Sequence, residues 1–531
     1  MNRRHLASRF LSTTASAKVV SLTVLIALLL IPSLAAAQAL PNISSLSVRY
    51  NTRKATVKPD GELKAQIDAV DREIAAASKQ GRTGEVRRQI AKGMALLDGT
   101  PWTPALDFQH SLVLRSERTV ADSMVPYAMR LEQIYSPAIE LTPGLGATVA
   151  LRKRPATAAP GALPAATVLV RQLGAFDGVS RDLRESPLAM ELDFAGVEDG
   201  SYVIETQVVD GTTTLATTTL GVVLHRGLDA RLRGLETASA SVAPAVRADV
   251  AYPADYIRNV NRGRIPLGTF SVGAEIAAAE AVLSAAKGGQ DPFKGRTGDF
   301  ERHYLLEGAN EVMPYRVYVP TAYSPAAGAP LVIALHGLGG NEDSFFDQYS
   351  KLPPQLAEKH GFLLAAPHGF RVDGFYGSPM MSTDAAARRR SEYSEKDVLE
   401  VLRLMKTNYK VDESRIYLIG HSMGAIGTWA LASKYPDIWA ALVPFSGVGS
   451  PALAERMKGI PQLVVHGDND ATVNVSGSRN MVAALKKAGA NVTYLEISGG
   501  SHTDMVVPNL PLAFEFLAKQ RKGAPVATQQ Q

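Results

Sequence analysis

Three side chains with complementary proton chemistry stand in ascending order near the carboxyl end of the chain. They are Ser422 in Gly420-His421-Ser422-Met423-Gly424, Asp470 in "VVHGDNDATV" and His502 in "ISGGSHTDMV". A serine hydroxyl is a poor nucleophile near neutral pH and needs a base to take its proton. The G-x-S-x-G spacing is that of a nucleophile elbow, where a strand turns sharply into a helix and leaves the serine at the tip. Its glycines answer a steric need, because a side chain at either place would collide with the neighbouring strand or helix. Alone the pattern is common; its placement between the apolar run "RIYLI" and the helix-like "AIGTWALASKY" makes it specific.

In such a site the acid and then the histidine follow the serine along the chain. His502 is the only histidine after Asp470, and that order selects it as the base. Asp468 leaves its strand directly and is expected to tie down its own loop. Asp470, two residues further on, reaches toward the histidine, where it would accept the Nδ1 proton and fix the tautomer. Backbone amides are expected to hold the oxyanion, with Leu338 in "LHGLGGNEDSF" and Met423 as the candidate pair. His336 reads as a brace for its own loop, and His421 and His368 as structural residues that end strands.

These residues need a scaffold, and the surrounding rhythm supplies one. After the pair "ERHYLLE" and "PYRVYVP" come "LVIALHG", "FLLAAPHG", "RIYLIGHS", "ALVPFSG", "QLVVHGD" and "VTYLEIS", short apolar runs ending in polar or small residues. Helical patterns such as "SEKDVLEVLRLMKTNYK" and "SGSRNMVAALKKAG" separate them. Strands apolar on both faces, alternating with helices, imply a mostly parallel sheet covered on both sides, with ligands at the carboxyl ends of its strands.

The preceding half has a different texture. After a short extended lead, Leu63, Ile67, Val70 and Ile74, then Val86, Ile90, Met94 and Leu97, recur at helical spacing around "KQGRTG" and predict a helical hairpin. From about Ala105 the chain turns to short β-rich runs. "SYVIETQVVDGTTTLATTTLGVVLH" reads as two strands hinged at Asp210-Gly211, and several such strands suggest a small β-sandwich. "RPATAAPGALPAAT" is a turn-rich loop, and "KGGQDPFKG" has the content of a linker. The expected organisation is 1–37 signal peptide, 38–104 helical segment, 105–225 β-sandwich module, 226–291 helical connector and linker, 292–520 catalytic α/β domain and 521–531 disordered tail. No catalytic constellation precedes residue 300, so the first half reads as a packing or positioning module.

Arg3, Arg4, Arg9 and Lys18 precede an apolar run from Val19 to Leu34 and then Ala35-Ala36-Ala37, the order of a secretory signal peptide cut after about Ala37. Loss of its four basic residues takes the net charge from +5 to about +1, which removes the charge argument for a nucleic-acid partner. With no cysteine, an exported chain must rest on core size, and thiolate chemistry is excluded.

"DESRIYLIGHSMGAIGTWALASKYPDIWAALVPFSG", together with "YRVYVP", "LHGLGG", "HGDND" and "GGSH", resembles the α/β-hydrolase superfamily. The resemblance is to secreted esterases related to feruloyl esterases, polyhydroxybutyrate depolymerases and predicted peptidases, and it covers about residues 295–520. It implies Ser422, Asp470 and His502 as a catalytic triad and Leu338 and Met423 as oxyanion donors. "HGLGG" departs from the triple-glycine run of lipases, which leaves the identity of the second donor open.

The expected activity is carboxylic ester hydrolysis through an acyl-enzyme on a small-molecule or polymeric ester, with no metal or organic cofactor and no stable membrane association. Activity should rise with pH as the base loses its proton. A prolyl-oligopeptidase-like peptidase would use the same site, but such enzymes place a large β-propeller first, and about 250 irregular residues are too few. A binding protein on a hydrolase fold is the other alternative, opposed by the filling of all three triad positions. Phe375, Tyr376, Met380 and Met381 lie on a long connection that would overhang the site, either lining an acyl or aryl pocket or packing beneath it. Arg388-Arg389-Arg390 reads as a solvated helix face, and Trp429 and Trp439 as core.

Overall fold

The computed structural model describes residues 43–137, 139, 141, 144–153, 166–379 and 384–523. The segment read as a signal peptide, most of the turn-rich loop after Lys153, Met380, Met381 and residues 524–531 of the tail lie outside them. Two compact units divide the chain: Met1–Arg233 with Ile257–Ala274, and Gly234–Tyr256 with Glu275–Gln531. The stretch 226–291, read from the sequence as a connector, is thus shared between the two.

The first unit opens with helices α1 (Ile43–Val57), α2 (Gly61–Lys79), α3 (Thr83–Leu97) and α4 (Pro104–Ser111). Ile67, Val70, Val86, Ile90 and Leu97 of the α2–α3 hairpin are buried together, as their helical spacing requires. The lead before them is helix α1, where the sequence suggested extended chain. Tyr50 explains the difference: its ring packs so closely on Gly93 that a Cβ there would stand 2.6 Å from it. Its hydroxyl donates to Asp71 at 2.9 Å and Lys54 donates to the same carboxylate at 2.8 Å. Tertiary contacts override the weak local preference of this segment.

Eight strands follow: β1 (Leu112–Ser116), β2 (Val120–Asp122), β3 (Tyr127–Gln133), β4 (Leu145–Lys153), β5 (Val168–Val179), β6 (Leu188–Leu192), β7 (Gly200–Asp210) and β8 (Thr213–His225). They form sheets of order β1-β3-β6 and β2-β8-β7-β4-β5. Their inner faces share one core that includes Met129, Leu131, Met190, Val149, Ile204 and Val208. Strands β7 and β8 pair as a hairpin with Asp210 opposite Thr213, and Gly211 takes the positive φ, +56°, that the tight turn requires.

Helices α5 (Leu228–Ser239), α6 (Pro244–Asn261) and α7 (Val272–Lys287) lead to an eight-stranded sheet. Its strands are β9 (Gly298–Leu306), β10 (Glu311–Val319), β11 (Ala329–Leu335), β12 (Leu363–Pro367), β13 (Val411–His421), β14 (Ala441–Phe445), β15 (Gln462–Gly467) and β16 (Val492–Ile497). The order is β16-β15-β14-β13-β11-β12-β10-β9. All neighbours from β12 to β16 are parallel, and β10 runs antiparallel to β9 and β12. This is the α/β-hydrolase sheet. Helices α8 (Ser344–Asp347), α9 (Leu352–His360), α10 (Ala385–Asn408), α11 (Met423–Lys434), α12 (Ser476–Lys487) and α13 (Val506–Ala518) connect and cover it.

Every residue of β11, β14 and β15 is buried, which is why these strands read as continuous apolar runs without alternation. On one face Val332, Tyr417, Val443 and Val465 pack against Leu356 of α9 and Leu510 and Phe514 of α13. Among the described residues no helix is long and apolar enough to cross a membrane.

Candidate active site

Strand β13 delivers Ser422 at its carboxyl end and α11 begins at the next residue. The turn is tight enough to force Ser422 to φ 58°, ψ −117°, a conformation an L-residue holds only when its surroundings over-determine it. Those surroundings are explicit. A Cβ on Gly420 would stand 2.2 Å from the Gly424 carbonyl oxygen, and one on Gly424 would stand 1.9 Å from that of Leu335. The Ser422 amide donates to the Phe445 carbonyl at 2.9 Å, tying the elbow to β14.

The loops after β15 and β16 bring the other two groups in. His502 Nε2 lies 2.9 Å from Ser422 Oγ, and His502 Nδ1 lies 2.6 Å from Asp470 Oδ2. Asp470 Oδ1 accepts from the Thr472 and Val473 amides, each at 2.8 Å. Burial raises the proton affinity of Asp470, but the hydrogen bonds from His502 and the two amides outweigh it, and the carboxyl is held below its ordinary value. Asp468 is not part of this chain of contacts: its carboxylate accepts the Gly499 amide at 2.7 Å and joins two loops.

Among the described residues the two amides expected to face an oxyanion have no hydrogen-bond acceptor. Met423 is the first residue of α11, where an amide has no partner within the helix. Leu338 follows Gly337, whose Cβ position lies 3.4 Å from Ser422 Cβ, and the Leu338 side chain is 62% exposed. Among the described residues neither amide donates to a backbone carbonyl. The Leu338 loop is fixed from both sides. Gly339 donates to the Val372 carbonyl at 2.9 Å, and Tyr376 Oη donates to the His336 carbonyl at 3.2 Å.

The histidines read as structural divide into distinct duties. His336 lies within 2.8 Å of the Gly337 carbonyl and 2.7 Å of the His368 carbonyl, joining its loop to the end of β12. His368 is paired with buried Glu342 at 2.5 Å. His421 has a closer link to the site than its sequence position suggested. Burial pushes it down to about 4, so it is neutral near pH 7; its Nε2 donates to the His502 carbonyl at 2.9 Å while Nδ1 accepts from Tyr349 Oη at 2.9 Å. Ser446, itself at a positive φ of 49°, donates to that same carbonyl at 3.1 Å. The loop carrying His502 is therefore pinned by two donors.

Sequence reasoning also missed His466, the penultimate residue of β15, whose side chain is fully buried with Nε2 3.1 Å from Asp470 Oδ2. The only signal was its position directly before the glycine of "HGDND". Of the overhanging connection, Tyr376 is fully buried and packs on Gly427 of α11, so it lies beneath the surface, while Phe375 is half-buried. Arg388 and Arg389 are exposed, and Arg390 lies 3.5 Å from Asp373. Trp429 and Trp439 are buried.

Among the described residues one group of carboxylates, Glu301, Glu342 and Asp343, has ligand-capable atoms within 4.8 Å of one another. Each already faces a cation or imidazole: His303 for Glu301, His368 for Glu342 and Arg316 for Asp343. Burial, with the charges of Glu342 and Glu301, raises Asp343 to about 6.

Residues 307–523 match the family model described as "Putative esterase". Over this stretch the chain is similar to that family. Within the curated relatives, the bifunctional acetylxylan esterase/xylanase XynS20E of Neocallimastix patriciarum is 29% identical over 158 residues, which are 30% of this chain and 21% of that protein. Feruloyl esterase B of Talaromyces stipitatus is 28% identical over 132 residues, 25% of this chain and 35% of that protein. The chain thus spans about a fifth to a third of the length of these two relatives. Among solved structures, an S-formylglutathione hydrolase from Agrobacterium tumefaciens shares 18% identity at a TM-score of 0.37, over 42% of this chain and 95% of that one.

Proposed function

We propose that residues 307–523 hydrolyse carboxylic esters through an acyl-enzyme on Ser422. The observation that carries this reading is the uninterrupted path from Ser422 Oγ through both nitrogens of His502 to Asp470 Oδ2, with steps of 2.9 and 2.6 Å. Ser422 Oγ attacks the ester carbonyl and its proton passes to His502 Nε2. Asp470 accepts the Nδ1 hydrogen bond and stabilises the imidazolium. The Leu338 and Met423 amides receive the oxyanion, where preorganised donors contribute most because their orientation is fixed before the reaction. Collapse expels the alcohol with the proton from Nε2. Water then enters by the same route and releases the acid.

The two curated relatives, one named for acetylxylan and one for feruloyl esters, support an acylated carbohydrate as the substrate class. The charged, apolar and small-residue order of residues 1–37 supports export of the protein.

The test is fluorophosphonate labelling of the intact chain, followed by hydrolysis of matched acetyl, butyryl and feruloyl esters and of a peptide amide. Labelling at Ser422 with ester turnover is the expected result. No labelling would leave a binding protein, and amide cleavage at a rate comparable to ester cleavage would make the domain a peptidase.

A further inference from the structure

We propose that His466 is a positioning residue for Asp470, locking the carboxylate oxygen that faces His502; this rests on the triad reading above. His466 Nε2 lies 3.1 Å from Asp470 Oδ2, the same oxygen that takes the His502 Nδ1 hydrogen bond, and 2.9 Å from the Val473 carbonyl. Carbonyl and carboxylate oxygens only accept, so Nε2 carries the proton and shares it between them. On the other side of the ring, Nδ1 lies 2.7 Å from Ser478 Oγ, which also sits 3.0 Å from the Gly447 carbonyl.

Burial disfavours the imidazolium and holds His466 below its ordinary value. The Ser478 hydroxyl donates to the Gly447 carbonyl and holds the Nδ1 edge of the ring in place, while the two acceptors facing Nε2 fix the hydrogen there. The consequence is geometric. Asp470 Oδ1 is fixed by the Thr472 and Val473 amides, and Oδ2 is held between two imidazoles. Rotation of the carboxylate would break bonds at both oxygens, and the Val473 carbonyl ties the same ring to the turn that carries Asp470. Its hydrogen-bond partners are Asp470, Val473 and Ser478, so it acts on the triad through Asp470.

His466→Leu removes the donor while keeping an apolar side chain, and His466→Gln restores an N–H donor in a similar place. Both are compared in the full chain, with turnover of p-nitrophenyl acetate expressed per fluorophosphonate-titrated serine. The expected result is a kcat lower by about tenfold or more in H466L, as befits a lost hydrogen bond to a charged group, with KM within about twofold. H466Q recovers most of the loss. A kcat in H466L within about twofold of the parent, or no recovery in H466Q, overturns the inference. Should H466L fail to fold, Ser478→Ala keeps the ring but removes its contact at Nδ1. A severalfold fall in kcat at unchanged KM then supports the proposal, and an unchanged kcat overturns it. Ser422→Ala is run alongside: if it still turns over substrate the triad reading fails, whereas a dead S422A beside a fully active H466L removes only the role of His466.

Discussion

Exchanging one carboxylate oxygen for an amide at Asp470 tests the proton path most directly. Asp470→Asn keeps an oxygen at Oδ1 for the Thr472 and Val473 amides, so the turn should retain its shape. At the other position an NH₂ group would face His502 Nδ1 from 2.6 Å and His466 Nε2 from 3.1 Å. Two donors cannot share that gap, so the His502 ring must place its hydrogen on Nε2 and offer Nδ1 as the acceptor. The lone pair that should take the Ser422 proton is then occupied. A wrong tautomer in a Ser-His-Asp site costs about 10⁴ in kcat, or about 5.5 kcal/mol of transition-state stabilisation. Asp468→Asn is the control, because the hydrogen bond its carboxylate accepts from the Gly499 amide needs only an acceptor that asparagine retains. The assay is kcat on a short acyl ester for both variants, each checked for an unchanged unfolding midpoint. A kcat for D470N within about tenfold of the parent, or an equal loss in D468N, would refute the reasoning.

Ser422→Ala should lower turnover by about four to six orders of magnitude and abolish fluorophosphonate labelling, with the far-ultraviolet spectrum unchanged. Gly424→Ala should destabilise the domain by about 2–3 kcal/mol or prevent its folding, since the added carbon would sit 1.9 Å from the Leu335 backbone oxygen; a urea midpoint equal to the parent's would contradict the packing described for the elbow. For His303, burial alone favours the neutral ring, but hydrogen bonds to Asp249 and Glu301 and their charges carry it up to about 9. Between about 6.5 and 9 the folded state therefore holds a proton that the unfolded chain has released. The stability contributed by His303 is complete below about pH 6.5 and is lost as pH rises to about 9, by at most about 3 kcal/mol. Urea melts followed by the fluorescence of buried Trp429 and Trp439 should show this decline in the parent and a flatter profile in His303→Gln.

The candidate site was legible where it depends on local backbone sterics and chain order. Gly420 and Gly424 announce an elbow because their missing side chains are a requirement of the turn itself. Strands buried on both faces announce a covered parallel sheet, and the succession of polar strand endings orders Ser422, Asp470 and His502. The preference for Asp470 over Asp468 came from loop reach, and the fold puts them on different partners, His502 and Gly499. Helix α1 was not legible, because Tyr50 finds Gly93 and Asp71 only after α2 and α3 have packed. The same limit hid the roles of His421 and His466. Each looks like an ordinary strand-ending histidine until the chain brings a carbonyl from residue 502 or a carboxylate from the next loop within 3.1 Å. Sequence by itself determined which residue types could exchange a proton and in what order they arrive at one edge of the sheet. Tertiary structure decided which oxygen meets which nitrogen, because hydrogen bonds act over about 3 Å and local pattern carries no information on that scale about residues eighty positions apart.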